Sequence, residues 1–115
     1  MPLPTPQQIG QYLEQLAKNK KTIFYSDLVA HFSLPSLKGA WSSHPLSEIF
    51  ETLDQQDTIQ NRPFRTSVVI TKEGNMPGNG FFEALFRLKN IRTTNDLQRM
   101  SVFTAELNNA FSHPW

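Results

Sequence analysis

Residues 68–82 read VVITKEGNMPGNGFF, and no regular element can run through them. Four apolar or β-branched residues lead in, then three glycines and a proline crowd into residues 74–80, and two phenylalanines follow. Glu73-Gly74-Asn75 and Pro77-Gly78 carry turn chemistry. Pro77 has no N–H to give, so a strand returning near Met76 must be short or at an edge. The segment therefore divides the chain into a longer part before it and a helical part after it. Two tight turns with positive φ, Gly78 at the third position of a type II turn, are the expectation here.

Helical periodicity fills most of what flanks this break. Thr5, Pro6 and Gln8 form a capping-box start, and Ile9, Leu13 and Leu16 follow at helical spacing. Thr22–Tyr25 are β-formers, too few for more than a short strand. Ser26 or Asp27 can cap a second helix that stops before Pro35. His44-Pro45 opens a third. Leu46, Ile49, Phe50 and Leu53 stand at i, i+3, i+4 and i+7, with Glu48, Glu51 and Asp54 expected outside. The stretch RTSVVITK is the best strand, expected over 66–71. Helices over 81–88 and 95–111 follow, the last burying Leu97, Met100, Phe103, Leu107 and Phe111. The fold class is α+β and mainly helical: one domain over 1–115, with a sheet of two or three short strands and an added C-terminal helix over about 94–111.

With 115 residues and nine phenylalanines the chain can bury a core without staples. It has no cysteine, which removes disulfides, thiolate metal sites and a thiol nucleophile. The start MPLPTPQQ has neither a basic head nor an apolar run, and no stretch approaches a membrane span. The expectation is a cytoplasmic protein with no membrane partner. The first sixty residues hold four lysines against six acids, and the rest seven basic residues against four. The second half is thus mildly basic.

Helix, short strand, helix, turn, helix, strand and loop is the order of a winged helix. The helix-turn-helix would occupy about 26–33 and 44–56, and a hairpin wing about 65–78. TIFYSDLVAHF, a helix, and VVITKEGNMPG resemble the DNA-binding domain of alkylguanine-transferase-like proteins, with their TTYGQIA-type helix start and RVV-x-x-x-G-type strand and turn. The resemblance covers about 55 residues. It implies a winged-helix-like fold, but the family's nucleophilic cysteine has no counterpart here, so alkyl transfer is excluded. The same stretch with MPGNGFF included resembles a group of small bacterial and phage proteins, a resemblance that implies no activity.

Chemistry-bearing motifs are few. The glycine segment lacks the Lys-Ser/Thr of a phosphate loop and the third glycine of a dinucleotide fingerprint. His31, His44 and His113 have no zinc-like spacing. Ser42-Ser43-His44 has no orienting acid. No catalytic residue, cofactor or metal is expected. The candidate macromolecule-binding residues are Lys38, Trp41, Ser42, Ser43 and His44 at the start of the third helix, with Arg62, Arg65 and Lys72 flanking the strand and wing. Two functions fit: a non-enzymatic module that binds a protein partner, favoured by the acidic face of the third helix, or a winged-helix protein that binds double-stranded DNA.

Overall fold

The computed structural model describes residues 3–37 and 40–115. It is mainly helical, with a two-stranded sheet. Helix α1 (Pro6–Lys18) starts on the expected capping box: Gln8 N donates to Thr5 Oγ1 at 3.1 Å, and Thr5 N donates to Gln8 Oε1 at 2.8 Å. Strand β1 is only Ile23–Phe24 and runs directly into α2 (Tyr25–His31). Neither Ser26 nor Asp27 caps α2, because the N-cap position falls on Phe24. A 3-10 turn at Trp41–Ser43 leads to α3 (Pro45–Ile59). After a second 3-10 turn, Arg65–Val68, come β2 (Val69–Ile70), α4 (Asn79–Lys89) and α5 (Asp96–Ser112).

The sheet is parallel, pairing Ile23 with Val69 and Phe24 with Ile70. A parallel pair needs a crossover, which α2 and α3 supply. The hairpin wing expected over 65–78 does not form, and the described residues hold no antiparallel pair. Residues 65–68 coil instead of extending, so β2 is no longer than β1. Beyond β2 the chain closes a small loop. Thr71 N donates to Met76 O at 2.8 Å and Asn75 N to Thr71 O at 2.9 Å.

Two apolar clusters flank the 64–70 segment. Ile9, Leu13, Leu28, Leu46, Phe50 and Leu53 gather around Val68 and Val69 on one side. On the other, Phe64 and Ile70 join Phe81, Phe82, Leu85 and Phe103 from α4 and α5. Phe81 meets Phe64, Phe82 and Phe103 edge-to-face at 5.9, 5.2 and 6.3 Å, the arrangement ring quadrupoles favour. Of the residues expected in the core, Phe32, Leu107 and Phe111 are half-buried, Leu97 and Met100 are exposed, and Ile9, Leu13, Leu28, Leu46, Phe50, Leu53, Val69, Leu85 and Phe103 are buried.

Helix α5 is turned relative to the expected stripe. Leu97 and Met100 are 78% and 53% exposed, while Phe103, Glu106 and Ala110 are buried. A polar contact fixes the rotation. Glu106 Oε2 accepts from Phe64 N and from Lys89 Nζ, both at 2.8 Å, and Lys89 Nζ lies 4.4 Å from the Phe64 ring centroid.

Asp57, near the end of α3, is fully buried. Its carboxylate accepts from Arg65 N at 2.9 Å, Arg65 Nε at 3.0 Å and Arg62 Nε at 2.6 Å. Arg65, itself 5% exposed, reaches on to Gln56 Oε1 at 3.1 Å and Glu14 Oε2 at 3.6 Å. Gly10 in α1 makes room for this guanidinium. A Cβ there would stand 2.6 Å from Arg65 Nη1 and 3.0 Å from Leu53 Cδ2.

Gly78 does not take positive φ. It sits at φ −74° and ψ 179°, and the left-handed position in this loop belongs to Asn75 at φ 53°. Two substitutions separate these roles. Gly10→Ala gains about 0.5–1 kcal/mol of helix propensity, but forces a methyl against a guanidinium held by three partners, an overpacking cost of about 1–3 kcal/mol. Its melting temperature should fall; a rise would mean that Arg65 yields freely. Gly78→Ala meets only the Tyr25 hydroxyl, at 3.7 Å. The poorer N-cap and the stiffer unfolded chain oppose each other, so its melt should move by less than about 0.5 kcal/mol. A loss of 2 kcal/mol would contradict this backbone assignment.

Candidate functional site: an aromatic cavity closed by Asp54

The first turns of α2 and α4, the Trp41 turn, one face of α3 and the 71–73 loop line a half-open cavity of about 760 Å³. Its aromatic wall is Tyr25, Trp41 and Phe50. Tyr25 and Trp41 pack edge-on at 5.7 Å, and Phe50 lies 6.1 Å from Tyr25 and 5.8 Å from Trp41. The short strand β1 positions Tyr25 by ending in Phe24, so that the next residue starts α2 at the cavity edge. The Tyr25 hydroxyl accepts from Gly78 N at 3.0 Å and keeps its own hydrogen to give. Burial pushes its pKa up. Trp41 lies against α4, where a Cβ on Gly80 would come within 3.3 Å of the indole Nε1. Glycine at 80 permits this close approach to Trp41.

His44 holds the Trp41 turn in place. Its Nδ1 accepts from Leu46 N at 3.1 Å as the cap of α3, so Nε2 carries the proton and donates to Pro35 O at 2.8 Å. The ring is buried and stacks on Trp41 at 5.9 Å and 5°. Both nitrogens are engaged, so His44 is not free to take a proton from Ser42 or Ser43.

Asp54, expected on the outer face of α3, instead lines the cavity and is 4% exposed. Thr66 Oγ1 donates to its Oδ1 at 2.7 Å. No salt bridge among the described residues reaches it: the cations that act on it, Lys89 and Arg87, are paired with Glu106 and Glu51. Burial is the main reason its pKa rises from the usual 3.8 to about 8. The Thr66 hydrogen bond pulls downward, nearby Asp57 pushes further up, and Lys89 and Arg87 pull down more weakly. At neutral pH the cavity therefore presents an uncharged carboxylic acid, with both a donor and an acceptor to offer.

Four of the residues singled out in the sequence meet here: Trp41, Ser42, His44 and Lys72. Ser43 is exposed on the same turn but does not line the cavity, and Lys38 lies outside the described residues. Arg62 and Arg65 are elsewhere, committed to Asp57, and the buried Arg65 cannot reach a phosphate. Tyr25, Asp54 and Thr66 escaped the sequence reading. One signal for the α3 acids was available, since Asp57 continues the phase of Leu46, Phe50 and Leu53, and Asp54 stands one turn after Phe50.

Asp54 makes the fold pH-dependent in a definite direction. Its folded pKa is raised, so between about pH 4 and pH 8 the unfolded chain gives up a proton that the folded chain keeps. Its contribution is therefore most favourable below the unfolded pKa and declines until pH passes the folded one. Asp54→Asn keeps the acceptor for Thr66 and removes the titration. The variant should be more stable than the parent at pH 7, by up to something on the order of 4 kcal/mol, with the gap closing towards pH 4. Paired melts at pH 4 and pH 8 check this; a gap independent of pH would refute the raised pKa.

No family model, curated protein or solved structure matches this chain, so the site geometry is what carries a functional reading.

Proposed function

We propose that this chain is a non-enzymatic binding module, and that its cavity receives an anchoring side chain of a partner protein. The observation that carries the reading is the cavity itself: about 760 Å³, walled by Tyr25, Trp41 and Phe50 and ended by Asp54 and Thr66. Anchor pockets of protein interfaces have this make-up, an aromatic surface with a few placed polar groups. Its nearest chemistry supports binding over turnover, because His44 has no free nitrogen and the neighbouring hydroxyls have no base.

The order of α2, α3 and the 65–78 segment is the reason to keep a winged-helix likeness in this reading. Its DNA-binding version is weakened by two facts. The arginines that would have met phosphate are spent inside the fold, and Glu51, Glu73 and Glu83 stand on the cavity's lining against Lys72 and Arg87. Acids on the presented face repel the DNA backbone.

Trp41 is a built-in reporter, since the only other tryptophan is Trp115. In a Trp115→Phe protein, heptapeptides selected from a random library should change Trp41 emission, and Ser47→Phe, which fills the cavity, should abolish the response. Random duplex DNA at low salt should leave the emission and the gel mobility unchanged. DNA binding lost on Lys72→Glu, with no peptide selected, would replace this reading with the winged-helix one.

A further inference from the structure

We propose that the anchor this cavity accepts is cationic: a lysine or arginine of the partner, its stem along the Tyr25, Trp41 and Phe50 wall and its charged head at the Asp54 carboxyl. The inference rests on the binding-module reading and adds the chemistry of the partner.

Three independent observations carry it. The first is the contrast between two buried acids three residues apart on α3. Asp57 has two arginines; Asp54, as deeply placed, has a single hydroxyl and no counter-ion among the described residues. A carboxyl that borders a cavity and lacks a cation is complementary to a cation arriving from outside. The second is the wall. Aromatic faces attract ammonium and guanidinium groups through the ring quadrupole, and a long aliphatic stem covers apolar surface while its head reaches a polar end. The third is the charge of the lining. Glu51 pairs with Arg87 at 3.2 Å and cancels it. Among the described residues of the lining, Glu73 and Glu83 then face only Lys72, whose Nζ lies over the Phe24 ring at 5.7 Å. The remaining balance is acidic. An aliphatic anchor would leave the Asp54 carboxyl without a partner, and an acidic anchor would meet Glu73, Glu83 and Asp54.

Binding of a cation favours the ionised form of Asp54, so affinity depends on pH. The groups that set this equilibrium are Tyr25 from α2, Glu51 and Asp57 from α3, Thr66, Glu73 and Lys72 from the 65–73 segment, and Glu83, Arg87 and Lys89 from α4. For a guanidinium, whose own charge is constant, affinity should rise by about tenfold per pH unit below pH 8 and level off above it.

The test uses pentapeptides acetyl-Gly-Ser-X-Ser-Gly-amide, with X as lysine, arginine, norleucine or glutamate, read by Trp41 emission in the full-length Trp115→Phe protein. The lysine and arginine peptides should bind at least tenfold more tightly than the norleucine peptide. Asp54→Asn should bring all three to the norleucine level and flatten the arginine pH profile. Because Asp54→Asn is expected to fold well, its loss of discrimination would not reflect unfolding. Equal binding of lysine and norleucine, or preference for glutamate, overturns the cationic anchor and leaves the binding module standing. Binding by neither these peptides nor any library-selected peptide overturns both.

Discussion

The buried Asp57–Arg65 pair is the constraint on which the rest of the architecture hangs. Taking two charges out of water is recovered only when their geometry is good and their remaining hydrogen-bond capacity is filled. Here Asp57 accepts both the side chain and the main-chain N–H of Arg65, and Arg65 continues to Gln56 and Glu14. The pair thereby ties the last turns of α3 to the 64–70 segment and to α1. The carboxylate takes both the amide and the guanidinium of Arg65 at the residue where the 65–68 turn begins. Removing Asp57 alone would strand a buried cation, a loss of about 3–5 kcal/mol, a large part of what a domain this size has to spend.

The 64–70 segment is the seam between the two apolar clusters, so this fixation propagates. Phe64 and Ile70 serve the α4–α5 side, and Val68 and Val69 serve the α1–α3 side. Phe64 N then sets α5 through Glu106, and Glu106 holds Lys89. Arg62 joins the two ion pairs, giving its Nε to Asp57 and its carbonyl to Lys89.

Local signals were legible in the sequence, and long-range ones were not. Thr5, Pro6 and Gln8 mark α1 correctly because a capping box is complete within four residues. Asn95 caps α5 by a bond equally local, accepting from Gln98 N at 2.9 Å. The face of α5 was misread because Leu97 and Met100 fit the period as well as Ala110 does, and the choice was made by Phe64 and Lys89, far away in the chain. The glycines misled in a similar way. Among the described residues, the non-glycine positive-φ positions are Lys20, Ser33, Asn61, Asn75 and Asn90. Asparagine, not glycine, closes the loop after β2, while Gly10 and Gly80 are small to admit Arg65 and Trp41. In the cavity, Trp41, Ser42, His44 and Lys72 were visible as residues at an element's edge. Asp54 and Thr66 were not, because an acid on an amphipathic helix reads as solvent-facing until its neighbours are known.

The two acids of α3 show where stability and use part company. Both sit within or beside the apolar stripe of the same helix, and both are shielded from water. Asp57 is satisfied by two arginines and serves the fold. Asp54 is held by Thr66 alone and, by its raised pKa, makes the folded state less favourable at neutral pH than a neutral isostere would. An asparagine could accept the same Thr66 hydroxyl without that cost. What asparagine cannot do is become an anion when a cation enters the cavity. An acid at the end of an aromatic wall, where the fold would be better served by its amide, is a local compromise of the kind that the proposed binding role accounts for.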